Sequence, residues 1–104
     1  MYKLSFYVPE SHAEAVKEAL FAAGAGTIGS YQRCSWQVLG QGQFMPGDDS
    51  NPYIGESGAL EQVMEYKVEM VCKPEVVRPV LDALHAAHPY EQPAWDLVQT
   101  ITEF

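Results

Sequence analysis

Ala19-Leu20-Phe21-Ala22-Ala23 returns as Ala83-Leu84-His85-Ala86-Ala87, identical at four of five places, and each copy ends a stretch with helical periodicity. In the first stretch Ala13, Val16, Ala19, Leu20 and Ala23 recur at spacings of three and four, while Glu14, Lys17 and Glu18 fall on the other side. That is the apolar stripe of an amphipathic helix. Ser11 followed by Glu14 fits a capping box at its start, and Gly24 suits its end. The second stretch runs roughly from Glu75 to Ala87. Its stripe is Val77, Val80, Leu81, Leu84 and Ala87, with Asp82 and His85 outside it. Pro79 has no backbone donor, so either the regular helix begins near Val77 or its first turn is kinked.

Each helix is flanked by alternating segments. Leu4, Phe6 and Val8 alternate with Lys3, Ser5 and Tyr7, the period of a half-buried strand, and Pro9 ends it. A second strand is predicted from about Ser30 to Leu39, with Cys34, Trp36 and Val38 on one face. A third covers Leu60 to Lys73, where Met64, Tyr66, Val68, Met70 and Cys72 alternate with Glu65, Lys67, Glu69 and Val71. A fourth runs from Trp95 to Ile101. The order is βαββαβ. Two similar halves, each burying one helix on a shared sheet, define an α+β ferredoxin-like sandwich, with four antiparallel strands and both helices on one face. The other sheet face is left bare. Glu65, Lys67 and Glu69 tolerate water there, whereas Tyr7 and Val71 favour cover from a partner subunit. Between the second and third strands, a long connection at about 40–59 is rich in Gly, Pro, Asp, Asn and Ser yet carries Phe44, Met45, Tyr53 and Ile54. It is expected to pack, either on a neighbouring subunit or as a β-arm folded on its own domain.

One domain spanning residues 1–104 is the natural division, because a chain of this size with 47% hydrophobic residues supports one core. Such a domain buries only about two-thirds of its unfolded surface and gains from self-association. A net charge of −8 with six scattered Lys and Arg residues argues against nucleic acid. No apolar run approaches the ~20 residues needed to span a bilayer, and the amino terminus lacks a signal-peptide core, so no membrane contact and a cytoplasmic location are expected. Cys34 and Cys72 are too few and too far apart for a disulfide scaffold or zinc knuckle. Gly24-Ala25-Gly26-Thr27-Ile28-Gly29 spells a dinucleotide fingerprint, but it follows a helix instead of opening one, so neither NAD nor FAD is expected. The alternatives are a flexible turn or a nest of amides for some other anion.

Candidate chemistry gathers at His88-Pro89-Tyr90-Glu91-Gln92-Pro93-Ala94, where an imidazole, a phenol and a carboxylate sit between two prolines. The prolines restrict themselves and the residues before them, so the segment should leave a helix in extended geometry and hold its polar groups rigidly. The ligand-binding set is therefore His88, Tyr90 and Glu91, joined by Gly40, Gly42 and Phe44 from the connection. A divalent metal, copper or zinc, would draw on His88, Glu91, His85 and Cys34, with another subunit able to complete the set. Acid–base work by Glu91 or His88 is chemically available, but neither cysteine has an activating context and no serine lies in a nucleophile motif. A small hydrolase therefore ranks last.

Several segments together carry a family resemblance: Gly24 to Tyr31 with Cys34-Ser35-Trp36, then Gly40-Gln41-Gly42-Gln43-Phe44 and Pro46, Pro52-Tyr53-Ile54-Gly55, Gly58-Ala59-Leu60-Glu61, and Ala87 to Asp96. The chain resembles a free-standing version of the PII-like domain inserted in YqfO proteins of the YqfO/YbgI family. His88-Pro89-Tyr90-Glu91 with Pro93 is also similar to the ending of CutA proteins. The resemblance implies a PII- and CutA-like fold and a homotrimer with clefts between subunits, a dimer being the alternative. In the larger YqfO proteins the metal-binding residues lie in flanking domains, so neither that chemistry nor a cyclohydrolase label passes to this domain. PII proteins bind nucleotides, but their nucleotide-binding loops have no counterpart here; CutA proteins are linked to divalent metals, notably copper. The function expected is a non-catalytic homo-oligomeric binding or sensing module, for a metal ion or small molecule, with an adaptor that docks a protein through 40–58 as the alternative.

Overall fold

Four strands and two helices make up the computed structural model, which describes residues 1–104: β1 (Tyr2–Pro9), α1 (Ala13–Ala22), β2 (Trp36–Phe44), β3 (Glu61–Cys72), α2 (Val77–Ala87) and β4 (Trp95–Gln99). Strand periodicity sends Leu4, Phe6 and Val8 to one side of β1, where all three are completely buried. The antiparallel register sets Leu4 opposite Met70, Phe6 opposite Val68 and Val8 opposite Tyr66, which extends the apolar face across β3. Onto it pack Val16 and Leu20 from α1 and Val80 and Leu84 from α2, each at 1% exposure or less. Burying such a side chain contributes about 1.5–3 kcal/mol. The sheet order β2-β3-β1-β4 with every neighbour antiparallel, and both helices on one face, is the expected ferredoxin-like α+β sandwich. It leaves β2 and β4 as the edges.

Several boundaries differ from expectation. β2 begins at Trp36 instead of Ser30, because residues 28–34 form a compact turn: Ile28 and Tyr31 bond each other, Arg33 has φ 60°, and the Cys34 amide bonds the Gly26 carbonyl. Cys34 is therefore outside the strand. At its other end β2 continues through Gly40 and Gly42 to Phe44, so the connection is 45–60. The long β3 supplies a partner for every residue of this extension. β1 stops at Pro9, opposite Glu65, and the β2–β3 pair runs beyond it as a hairpin arm. The molecule measures 47 × 24 × 23 Å.

The capping box does not form. A 3-10 turn at Glu10–His12 leads into α1, and the Ser11 hydroxyl pairs with His12 Nδ1 at 2.8 Å instead of capping an amide. A second 3-10 turn, Pro74–Val76, precedes α2. Pro79 is the third residue of α2, where a backbone N–H has no helical acceptor, so the helix loses nothing to it. The glycine run closes α1, with Gly24 at φ +115° and its Cα against Val76, where a side chain would collide. The amides of Gly24, Ala25, Gly26 and Ile28 bond carbonyls within the protein, which rules out the anion nest at this turn. β4 ends at Gln99, and Thr100 turns back to bond Met1. No helix is long and apolar enough to cross a membrane.

Candidate functional site

His88 ends α2 in extended geometry (φ −71°, ψ 137°), the conformation demanded of a residue before proline. Its backbone amide still reaches Leu84, so the imidazole turns inward and is only 5% exposed. The Tyr90 amide donates to Nδ1 at 3.1 Å, which leaves Nε2 carrying the proton that it donates to the Tyr7 carbonyl at 2.7 Å. Both ring nitrogens are thus satisfied by backbone. Burial pulls the His88 pKa below 6.5; the bond to Tyr7 opposes this, and His12 and His85 push the same way as burial. His88 pins the corner to the end of β1, and a Tyr7 amide bond to the Ala94 carbonyl closes the far side.

Tyr90 lies 4.8 Å from the His88 ring, tilted by 58°, and approaches the arm, with Phe44 at 6.1 Å and Tyr53 at 6.4 Å. The connection meets it. Pro46 is buried, the Gly58 amide bonds the Pro46 carbonyl at 2.8 Å, and the Ser50 and Ser57 hydroxyls both donate to the Gly47 carbonyl. Tyr53 lies edge-on to His12, and the Asn51 amide donates to Glu91 Oε1 at 3.1 Å. The connection thus lies against its own domain's corner.

Arm and corner together form an open cleft of about 270 Å³, lined by Tyr7, Phe44, Tyr53 and Tyr90 and by the carboxylates Glu65 and Glu91. Glu65 reaches the cavity by leaning over Gly42, in space that a β-carbon would fill. The Tyr90 hydroxyl is buried beside the Glu65 carboxylate, outside ordinary hydrogen-bond geometry. Burial, and secondarily the nearby Glu65 carboxylate, push its ionisation well above the usual phenol range. Tyr90 therefore stays a neutral hydroxyl at physiological pH.

Of the expected ligand-binding residues, Tyr90, Glu91 and Phe44 line this cavity, and His88 braces it from behind. Gly42 acts by making room for Glu65; Gly40 pairs with Glu65 across the strands and touches nothing. The expected metal set is not brought together. No group of three or more His, Cys, Asp or Glu side chains is placed to hold an ion. His88 has no free nitrogen, and Glu91 is engaged by Asn51. His85 donates Nδ1–H to the Leu81 carbonyl and faces Trp95. Cys34 belongs to the turn tied through Gly26 to Val71, near the opposite end of the sheet from Tyr7. Cys72 is a core thiol whose pKa burial raises to about 11. Glu65, Tyr7 and Tyr53 were not among the expected site residues. The one sequence signal for Glu65 was its place in the polar alternation of β3.

The fold is that of PII-like, CutA-like domains. CutA from Archaeoglobus fulgidus, solved as a periplasmic divalent cation tolerance protein, superposes with a TM-score of 0.70 over 100% of this chain and 88% of its own, at 17% identity, a likeness of fold. A Bacillus cereus protein related to NIF3 matches with a TM-score of 0.77 and 40% identity, over 92% of this chain and 24% of that one. The sequence also matches GTP cyclohydrolase 1 type 2 homologues: that of Mycobacterium leprae at 53% identity over 95 residues, and that of Halalkalibacterium halodurans at 44% over 103. These alignments cover 91% and 99% of this chain but only 25% and 28% of the relatives. The chain is homologous to a domain within the NIF3/YqfO family and spans about a quarter of the length of the curated relatives it matches. No family model matches it.

Proposed function

We propose that this domain is a non-catalytic, self-associating binding module that takes a small molecule into the cavity between the corner and the arm. One observation carries the reading: the chain folds its own 45–60 connection back to form a cleft lined by four aromatic rings, with an unpartnered buried hydroxyl beside it. Convergent polar groups in an apolar cleft are the ordinary make-up of a ligand site. Self-association is supported by the bare sheet face, where Trp36 and Val98 remain 58% and 48% exposed. A homotrimer is the assembly proposed, with a dimer as the alternative.

The name of the Archaeoglobus protein suggests a divalent cation, but the donors within one chain do not fit one. An ion would need His85, whose Nε2 is free, together with ligands from another copy. The relatives' cyclohydrolase name draws no support from His88, since both of its ring nitrogens are committed to backbone. Protein docking through 40–58 is weakened because Tyr53 and Asn51 are turned onto the domain's own corner. The test is a panel of amines, amino acids, carboxylates, nucleotides and divalent metals titrated into isotopically labelled protein. Binding should move the amide resonances of Tyr53, Tyr90 and Ala94 together. A panel that leaves all three in place removes the pocket from consideration.

A further inference from the structure

Resting on that pocket as the binding site, we infer that its ligand is a protonated primary amine on a short apolar chain. Glu65 is half-buried beside aromatic rings, and no Lys, Arg or His pairs with its carboxylate, whose polar neighbour in the protein is the Tyr90 hydroxyl. The ion pairs of the chain are spent elsewhere, as Lys3–Glu69, Lys17–Glu14 and Arg33–Glu18. A carboxylate drawn partly out of water without a counter-charge is costly, and a bound cation relieves that cost. Glu91 has one oxygen bonded by Asn51 and one without a partner.

The walls favour the same charge. Aromatic faces attract cations, and Tyr7, Phe44, Tyr53 and Tyr90 present four rings around one small space. No Lys, Arg or His lines it, and the chain as a whole carries −8, so carboxylates and phosphates meet repulsion. The Tyr90 hydroxyl lacks a partner and can accept an N–H, which a primary ammonium supplies and a quaternary ammonium does not. A volume of about 270 Å³ suits an alkylamine better than a nucleotide.

The probes are butylammonium, 1-butanol, butyrate, tetramethylammonium and zinc chloride, each titrated at fixed ionic strength while the Tyr53, Tyr90 and Ala94 amides are followed. Butylammonium should bind about tenfold more tightly than 1-butanol, and tetramethylammonium should fall between them. Butyrate should not bind. Glu65→Gln should weaken butylammonium about tenfold while leaving 1-butanol unchanged. If Glu65→Gln fails to give a folded spectrum, Tyr90→Phe serves, with a loss confined to the ammonium. Equal affinity for butanol or butyrate overturns the assignment of charge, as does shift by zinc alone or indifference to the substitutions. In each of those cases the pocket still binds something. Silence towards these probes and the wider panel alike would bring down the pocket itself.

Discussion

His88 shows how a side chain that looks like a ligand becomes a structural tie. A histidine followed by proline and close to a glutamate invites a metal, but here the imidazole spans two backbone segments 81 residues apart, Tyr7 and its own corner. Nothing local in the sequence signals that partnership, because the acceptor is a carbonyl on a distant strand. His88→Ala should leave that carbonyl and the Tyr90 amide without partners and cost ~2–4 kcal/mol, read by chemical denaturation. A pH dependence follows from the lowered pKa. The unfolded chain holds the proton more tightly than the native one, so the His88 contribution is present above about pH 6.5 and shrinks as pH falls towards its native value. Wild-type stability should drop between pH 7 and pH 5 more steeply than that of His88→Ala. Parallel curves would deny the buried neutral imidazole its role.

Among the elements, the regular ones were legible and the glycine-rich ones were not. Alternation in β1 and β3 and the stripes of α1 and α2 each report a buried face directly, and they agree with the observed core nearly residue for residue. Gly40 and Gly42 read as loop because glycine weakens a strand. Here β2 is held by pairing with the long β3, and Gly42 is the place where Glu65 lies close over the backbone. Ser30 to Ser35 read as strand by their alternation, but the hydrogen bonds of the Gly26 turn claim them first. The lining of the pocket was half visible: Phe44, Tyr90 and Glu91 sat in flagged stretches, whereas Tyr7 and Glu65 enter it only through strand register. Gly42→Ala tests that register. Its φ lies outside the left-handed region, so the backbone tolerates alanine and stability should stay within about 1 kcal/mol of wild type. The new methyl displaces Glu65, and butylammonium affinity should fall about fivefold, near 1 kcal/mol. Unchanged affinity would mean that Glu65 has no part in holding the ligand.

At the level of the entire chain, one sheet face is covered by helices, and the other is met only at its Tyr7 and Glu65 end, by the connection and the corner. The register places Trp36, Val38, Tyr7, Val71 and Val98 on that second face among Lys3, Lys67 and Glu69. Placing a charge there, as in Trp36→Glu, should convert an assembled species to monomers in sedimentation velocity, with the circular dichroism spectrum retained. An unaltered mass would move the contact surface elsewhere. The two rims of the sheet are also unlike. β4 offers five residues, whereas β2 offers nine, Trp-Gln-Val-Leu-Gly-Gln-Gly-Gln-Phe, with neither a charge nor a proline among them. Proteins ordinarily guard such a border with lysine, proline or a bulge, since its free amides and carbonyls are a template for another strand. This border carries none of those guards, which leaves β2 the edge more open to pairing with a further strand.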